Sequence, residues 1–128
     1  MNSTKPPLPT AGLATEKVIR QFNDAFLRHD AAALVALVAE DCVVENSQPA
    51  PDGSRHVGRE ACLALWQGIA TTPGTSFEVE DVFVSGEQAI VRWRYRWDHG
   101  DADSVRGVNL TRVRDNRIVE SLGYVKGR

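Results

Sequence analysis

At 128 residues, with 15 basic and 17 acidic side chains and a net charge of −2, the chain is sized for one domain around a single core. Its charges are well mixed, which argues against a nucleic-acid-binding basic block and against an acidic solvating tail. No apolar run approaches a membrane span, and no apolar stretch follows the first lysine, so an unexported, cytoplasmic protein with no membrane contact is expected.

Residues 1–14 carry Pro6, Pro7 and Pro9 among small polar residues and read as a flexible N-terminal arm, leaving 15–128 as the single domain. Thr15 can cap a helix from about Glu16 to Arg28, in which Val18, Phe22, Ala25 and Phe26 recur at helical spacing and form one apolar stripe. His29-Asp30 interrupts that pattern. Asp30 then caps a second, short helix carrying Leu34, Val35, Leu37 and Val38, closed by Glu40-Asp41.

Cys42 to Asn46 reads as a short strand running into a Pro/Gly/Ser loop, with a brief extension at 55–57. A third helix, about Arg59 to Ala70, would bury Cys62, Leu65, Trp66 and Ile69, and Thr71-Thr72-Pro73-Gly74 ends it. Cys42 and Cys62 are expected as small buried apolar residues rather than a disulfide. The remainder is strand after strand, at about 76–85, 89–97, 104–113 and 117–126. Helices first and long antiparallel strands after them give an α+β class: a cone-shaped, curved mixed or antiparallel sheet wrapped around an N-terminal helix pair plus a third helix.

The most informative strand is Ala89 to Trp97. From Val91 onward apolar residues alternate strictly with Arg92, Arg94 and Arg96, so Val91, Trp93, Tyr95 and Trp97 share one face. A three-residue loop at Gly86-Glu87-Gln88 would set Glu80 opposite Arg94 and Glu78 opposite Arg96, and would place Asp81 on the inner face opposite Trp93. In the last hairpin, Asn116 suits the left-handed position of a bulged turn that pairs Val113 with Arg117, Asn109 with Ser121 and Gly107 with Gly123. One face would then carry Val105, Gly107, Asn109, Thr111, Val119, Ser121, Gly123 and Val125, leaving space in front of the aromatic strand. The other, with Leu110, Arg112, Ile118, Glu120, Leu122 and Tyr124 alongside Arg94, is too apolar for a fully wet monomer surface and is expected to be a homodimer interface.

Three stretches carry a resemblance. They are Arg28-His29-Asp30 followed by residues 34–46, then Gly58-Arg59-Glu60-Ala61, and finally residues 106–120, from Arg106-Gly107-Val108-Asn109 to Ile118-Val119-Glu120. Together they resemble the SnoaL-like branch of the nuclear transport factor 2-like superfamily, over about residues 15–126. That superfamily also contains ketosteroid isomerase and limonene epoxide hydrolase, and its fold hosts catalytic and non-catalytic domains alike. The resemblance implies an isomerase-type tyrosine, aspartate base and protonated aspartate at positions held here by Phe22, Asn46 and Asn109. None of these can abstract a proton at neutral pH, although Asn109 can donate a hydrogen bond to a carbonyl or enolate. The epoxide-hydrolase pattern falls on Trp93, Tyr95 and Gly123, which lack that chemistry.

The candidate pocket is therefore Phe22, Asn46, Trp66, Val91, Trp93, Tyr95, Asn109 and Ser121, with Asp81 and Asn109 as the candidate catalytic groups. His29, His56 and His99 lie in loops, no metal-ligand spacing or phosphate-binding loop is present, and neither a metal nor another cofactor is expected. The expected function is binding of a small, mostly apolar, carbonyl-containing molecule, with cofactor-free isomerisation, cyclisation or hydration as the reaction if the chain is an enzyme. The alternative is a non-catalytic homodimeric association domain with a vestigial cavity.

Overall fold

The computed structural model describes residues 10–97 and 101–127. Helix α1 (Thr10–Leu27) lies in the hollow of a six-stranded sheet, its stripe of Val18, Ile19, Phe22, Ala25 and Phe26 buried. It begins earlier than the sequence suggests. Thr15 is no cap but a buried mid-helix residue, whose hydroxyl donates to the carbonyl of Gly86 at 2.7 Å and ties the helix to a hairpin tip. Of the expected N-terminal arm, residues 10–14 are thus helical and the rest lies outside the described residues.

The second helix of the pair is a 3₁₀ segment (Ala31–Leu37), capped as expected by Asp30, whose side chain accepts from the amide of Ala33. Strand β1 (Val38–Asn46) starts directly after it, so Val38 belongs to the sheet and not to the helix. β2 (Ser54–Val57) precedes α2 (Arg59–Thr71). Two side chains lock this helical layer: Arg59 donates to the carbonyls of Val35 and Val38, and His29 Nδ1 donates to the carbonyl of Ala70 at 2.7 Å.

The long strands follow as β3 (Ser76–Ser85), β4 (Gln88–Arg96), β5 (Ser104–Arg114) and β6 (Arg117–Val125). The sheet order is β2-β1-β6-β5-β4-β3, with β1 parallel to β6 and every other pair antiparallel, a mixed sheet.

Both hairpins depart from the expected registers in the same way. The β3–β4 turn has two residues, Gly86-Glu87, with a positive φ at Gly86, and pairs Ser85 with Gln88. Continued unbroken, that register would aim Glu80 and Glu78 at the aromatic wall, where two carboxylates would be desolvated without partners. A bulge at Glu80 prevents this by resetting the phase, so that Val79 faces Trp93 and Phe77 faces Tyr95. Asp81, on the far side of the bulge, pairs with Arg92 on the outer face. The β5–β6 turn is likewise two residues, Asp115-Asn116, both with positive φ, and a bulge follows immediately. Asn109 therefore pairs with Gly123, Thr111 with Ser121 and Val113 with Ile118. Ile118 takes the inward place expected for Val119 and is 0 % exposed, so it belongs to the core and not to an outer interface.

Candidate functional site

Behind the helices the sheet does not close onto them, and a partly open cavity of about 1050 Å³ remains. Its walls follow from the element order. Phe22, Asn23 and Phe26 project from α1, and Trp66 and Ile69 from α2; Val44, Asn46 and the following loop close one side. Phe77 and Val79 of β3, Val91, Trp93 and Tyr95 of β4, Asn109 of β5, and Ser121 and Gly123 of β6 form the sheet side.

The rings form a continuous chain around this space. Trp66 meets Phe22 edge-on at 4.8 Å between centroids, Phe22 meets Phe26 in a tilted pair at 4.9 Å, and Phe26 reaches across to Phe77 at 5.4 Å. Phe77 in turn contacts Trp93 at 5.5 Å and Tyr95 at 4.7 Å. Small residues on β5 and β6 keep the opposite wall set back. A Cβ on Gly107 would lie 2.5 Å from the Trp93 ring, and one on Gly123 would lie 3.2 Å from the Asn109 carboxamide oxygen. Thr111 and Ser121 are buried as a hydroxyl pair 3.2 Å apart.

All eight residues expected at a pocket line this one cavity: Phe22, Asn46, Trp66, Val91, Trp93, Tyr95, Asn109 and Ser121. Asp81 does not. Its side chain is 45 % exposed and sits 4.0 Å from Arg92 on the outer face, because the two-residue turn pairs it with Arg92 and not with Trp93. His29 and His56 also lie elsewhere, the latter within 2.9 Å of the Ser54 hydroxyl, and His99 lies outside the described residues. Sequence reasoning missed Asn23, Phe26, Phe77 and Val79. Phe26 was visible as the residue one turn after Phe22, and Phe77 and Val79 as the residues alternating with Asp81 on the expected inner face; in the structure the bulge keeps them there although Asp81 turns outward.

The lining offers amides, hydroxyls and the cationic side chains of Arg94, Arg106 and Lys126. Among the described residues lining the cavity the only carboxylate is Glu45, at the rim and bound to Arg55 at 2.8 Å, and there is no histidine or cysteine. No cluster of three or more described His, Cys, Asp or Glu residues could hold a metal ion. The two thiols are free and buried under α2, where the Sγ of Cys62 donates to the carbonyl of Cys42 at 3.4 Å. Burial pushes both thiols up from their ordinary value, and for Cys42 the neighbouring Cys62 adds to the effect, so they stay protonated and unreactive.

On the outer face the arginines of β4 enter an ion-pair lattice. Arg96 meets Glu78 at 2.7 Å, and Glu80 takes Arg106 at 2.9 Å and Arg94 at 4.0 Å. The Arg106 hydrogen bond holds the Glu80 carboxyl below its usual value. Beside the lattice runs an apolar row in register across four strands: Phe83, Ile90, Leu110 and Leu122. Phe83, Ile90, Leu110 and the nearby Tyr124 are exposed. Arg112 pairs with Glu120 at the next outward position, so Arg94, Leu110, Arg112, Glu120, Leu122 and Tyr124 share this face, whereas Ile118 is absent from it.

The SnoaL-like domain pattern matches residues 19–121. The chain belongs to the SnoaL-like family. Among solved structures it is similar to an NTF2-like protein of unknown function from Mesorhizobium loti, 56 % identical over 95 % of this chain and 97 % of that one, with a TM-score of 0.85. The fold is also shared with a putative ketosteroid isomerase from Kribbella flavida, at 23 % identity over 91 % of this chain and 81 % of that one and a TM-score of 0.75. An LEH-like epoxide hydrolase from M. tuberculosis shares it at 18 % identity over 90 % of this chain and 80 % of that one, with a TM-score of 0.71. Curated proteins gave no match. The SnoaL-like family and the α+β fold are thus as the resemblance implied. Among the described residues no helix is long and apolar enough to cross a membrane.

Proposed function

We propose that this SnoaL-like domain binds a small, mostly apolar molecule bearing a carbonyl group. The observation that carries the reading is the cavity of about 1050 Å³ whose wall combines aromatic rings with amides and hydroxyls, Arg94, Arg106 and Lys126 adding positive charge. That volume is at the upper end of the usual range for small-molecule sites. The rings would bury the hydrocarbon part of the ligand, while Asn109, Asn46 and the Tyr95 hydroxyl would orient its oxygen.

Where turnover follows binding, the wall supplies orientation and hydrogen-bond donors, neutral amides and hydroxyls together with Arg94, Arg106 and Lys126. Such donors suit cofactor-free isomerisation, cyclisation or hydration of a substrate that is already activated, without a buried carboxylate acting as base. Phe22, Asn46 and Asn109 stand where ketosteroid-isomerase-type chemistry would need ionisable groups, which argues against that route.

A homodimer through the outer sheet face belongs to the same proposal. The exposed row of Phe83, Ile90 and Leu110, continued by Leu122, is flanked by Arg112 and Glu120, an apolar centre with a charged rim. The free thiols fit a reducing compartment and support a cytoplasmic location.

Native mass spectrometry of freshly purified protein tests the pocket reading. A small molecule carried through purification, released on denaturation and absent from a Ser121→Phe variant whose ring projects into the cavity, is the expected result. A wild type that carries nothing and takes up no aromatic ketone supplied in excess would point instead to the association domain with a vestigial cavity.

A further inference from the structure

The outer sheet face is built in rows across the strands. Phe83, Ile90, Leu110 and Leu122 fall in one register row, and Arg112 and Glu120 stand directly opposite each other in the next row toward the β5–β6 turn. The other outward carboxylates of the long strands are used within the chain: Glu78, Glu80 and Asp81 each have an arginine nitrogen within 4.0 Å. Arg112 and Glu120 are the exception. Although they are cross-strand neighbours of opposite charge, among the described residues neither has an ion-pair or side-chain hydrogen-bond partner. Beside an apolar row exposed at Phe83, Ile90 and Leu110, this open couple marks where a covering surface must itself carry charge.

A second copy of the chain carries that charge in the right places. A two-fold contact is self-complementary: where one residue meets a second on the partner, that second residue also meets the first. An axis running along the strands between β5 and β6 sets each β5 residue against the partner's β6 residue of the same row. Arg112 then faces the partner's Glu120, Glu120 faces the partner's Arg112, and Leu110 faces the partner's Leu122. Packed sheets lie about 10 Å apart, a gap that an arginine and a glutamate reaching from opposite sides close. Arg106 and Lys126 would repel across the same axis, but each lies four residues from Leu110 or Leu122. At about 14 Å along the strand, sheets crossing at about 30° have drifted apart sideways.

We infer that Arg112 and Glu120 form two reciprocal salt bridges across a two-fold axis between β5 and β6, so that this face recognises a second copy of the same chain. The inference rests on the homodimer proposed above and adds the axis and the residues that select the partner. The leucine row supplies apolar area and discriminates little between apolar surfaces. The charges discriminate, because a surface lacking an acid and a base at these two places would leave Arg112 and Glu120 desolvated and unpaired. Symmetry uses the couple twice, so one substitution is felt at two contacts.

The test makes Arg112→Glu and Glu120→Arg in the full chain and follows them by native mass spectrometry, separately and mixed in equal amounts. The wild type should be a dimer. Each variant alone should be a monomer that is folded by circular dichroism, its dimer affinity weakened about 100-fold or more because like charges meet twice. The mixture should restore a dimer of intermediate mass with one chain of each variant. There acid faces base at both contacts, although neither chain carries the couple by itself. Should a variant fail to fold, Arg112→Lys is treated with a water-soluble carbodiimide instead. An amide from the new amine to Glu120 of a second chain supports the pairing, and one within a chain, or none, overturns it. Variants that dimerise like the wild type, or a mixture that stays monomeric, overturn the inference and leave a dimer through other residues standing. A monomeric wild type overturns both.

Discussion

Replacing Gly107 with alanine should destabilise the protein through a single methyl group. The backbone at this position is ordinary extended strand, so the requirement is for space and not for a glycine conformation. The new Cβ would sit 2.5 Å from the Tyr124 carbonyl oxygen as well as 2.5 Å from the Trp93 ring. Carbon atoms in contact prefer about 3.5–4.0 Å, so the ring must move by about 1 Å. It could swing into the cavity, but the Tyr124 oxygen belongs to the β6 backbone and moves only with the strand. Overpacking of this kind costs about 1–3 kcal/mol. Loss of glycine entropy in the unfolded chain returns about 0.4–1 kcal/mol. A net loss of about 1–2 kcal/mol should lower Tm by roughly 3–10 °C for a domain of this size. Thermal unfolding followed by circular dichroism measures it, with Gly68→Ala as control: Gly68 lies in α2 with nothing within 4 Å of its Cβ position. The control should gain about 0.5–1 kcal/mol from helix propensity. A Gly107→Ala protein as stable as wild type would refute the close packing of Trp93 on β5.

Ile118→Ala should lower stability by about 2–5 kcal/mol in urea titrations, independently of protein concentration, because the side chain is fully buried in the core. Leu110→Glu, in the centre of the exposed row, should leave the circular dichroism spectrum intact but shift the mass by light scattering from twice 14.1 kDa to that of one chain. The raised thiols make stability fall as pH climbs above their ordinary value of 9.0, since only the unfolded chain ionises there; Cys42→Ala should flatten that decline, and iodoacetamide should modify neither thiol before unfolding. Glu80 has the opposite sign: its contribution is present above the ordinary carboxylate value of 4.5 and disappears as pH falls through its lowered value. An NMR titration should place its midpoint below 4.5 and move it back upward in Arg106→Ala.

The strand at Val91 to Trp97 was legible because its alternation is strict and its two faces differ in chemistry, so the aromatic wall could be read without coordinates. Asn109, Ser121 and Gly123 were legible as the setback opposite, because small and polar residues in strand interiors are uncommon. The registers were not. Gly86-Glu87-Gln88 and Asp115-Asn116 accommodate two-residue or three-residue turns, and local sequence does not choose between them. The choice, and the bulge at Glu80 that accompanies it, is enforced by keeping carboxylates off the aromatic wall, a condition set by the whole sheet. The two-residue turn moved Asp81 outside, and the bulge beyond it kept Phe77 and Val79 on the inner face. A similar offset near the last turn placed Ile118 in the core. Thr15 misled for a different reason: a threonine before an amphipathic stripe looks like a cap, whereas here its hydroxyl reaches a carbonyl 71 residues away in sequence.

The central claim is that a neutral carbonyl compound enters the cavity and nowhere else. Backbone amide shifts of ¹⁵N-labelled protein, followed as 1-acetonaphthone is added, address it most directly. Saturable shifts should concentrate at Phe22, Trp66, Trp93, Asn109 and Gly123, with Phe83, Leu110 and Arg112 on the outer face unmoved. Shifts confined to that outer face, or a spectrum unchanged at saturating ketone, would contradict the account.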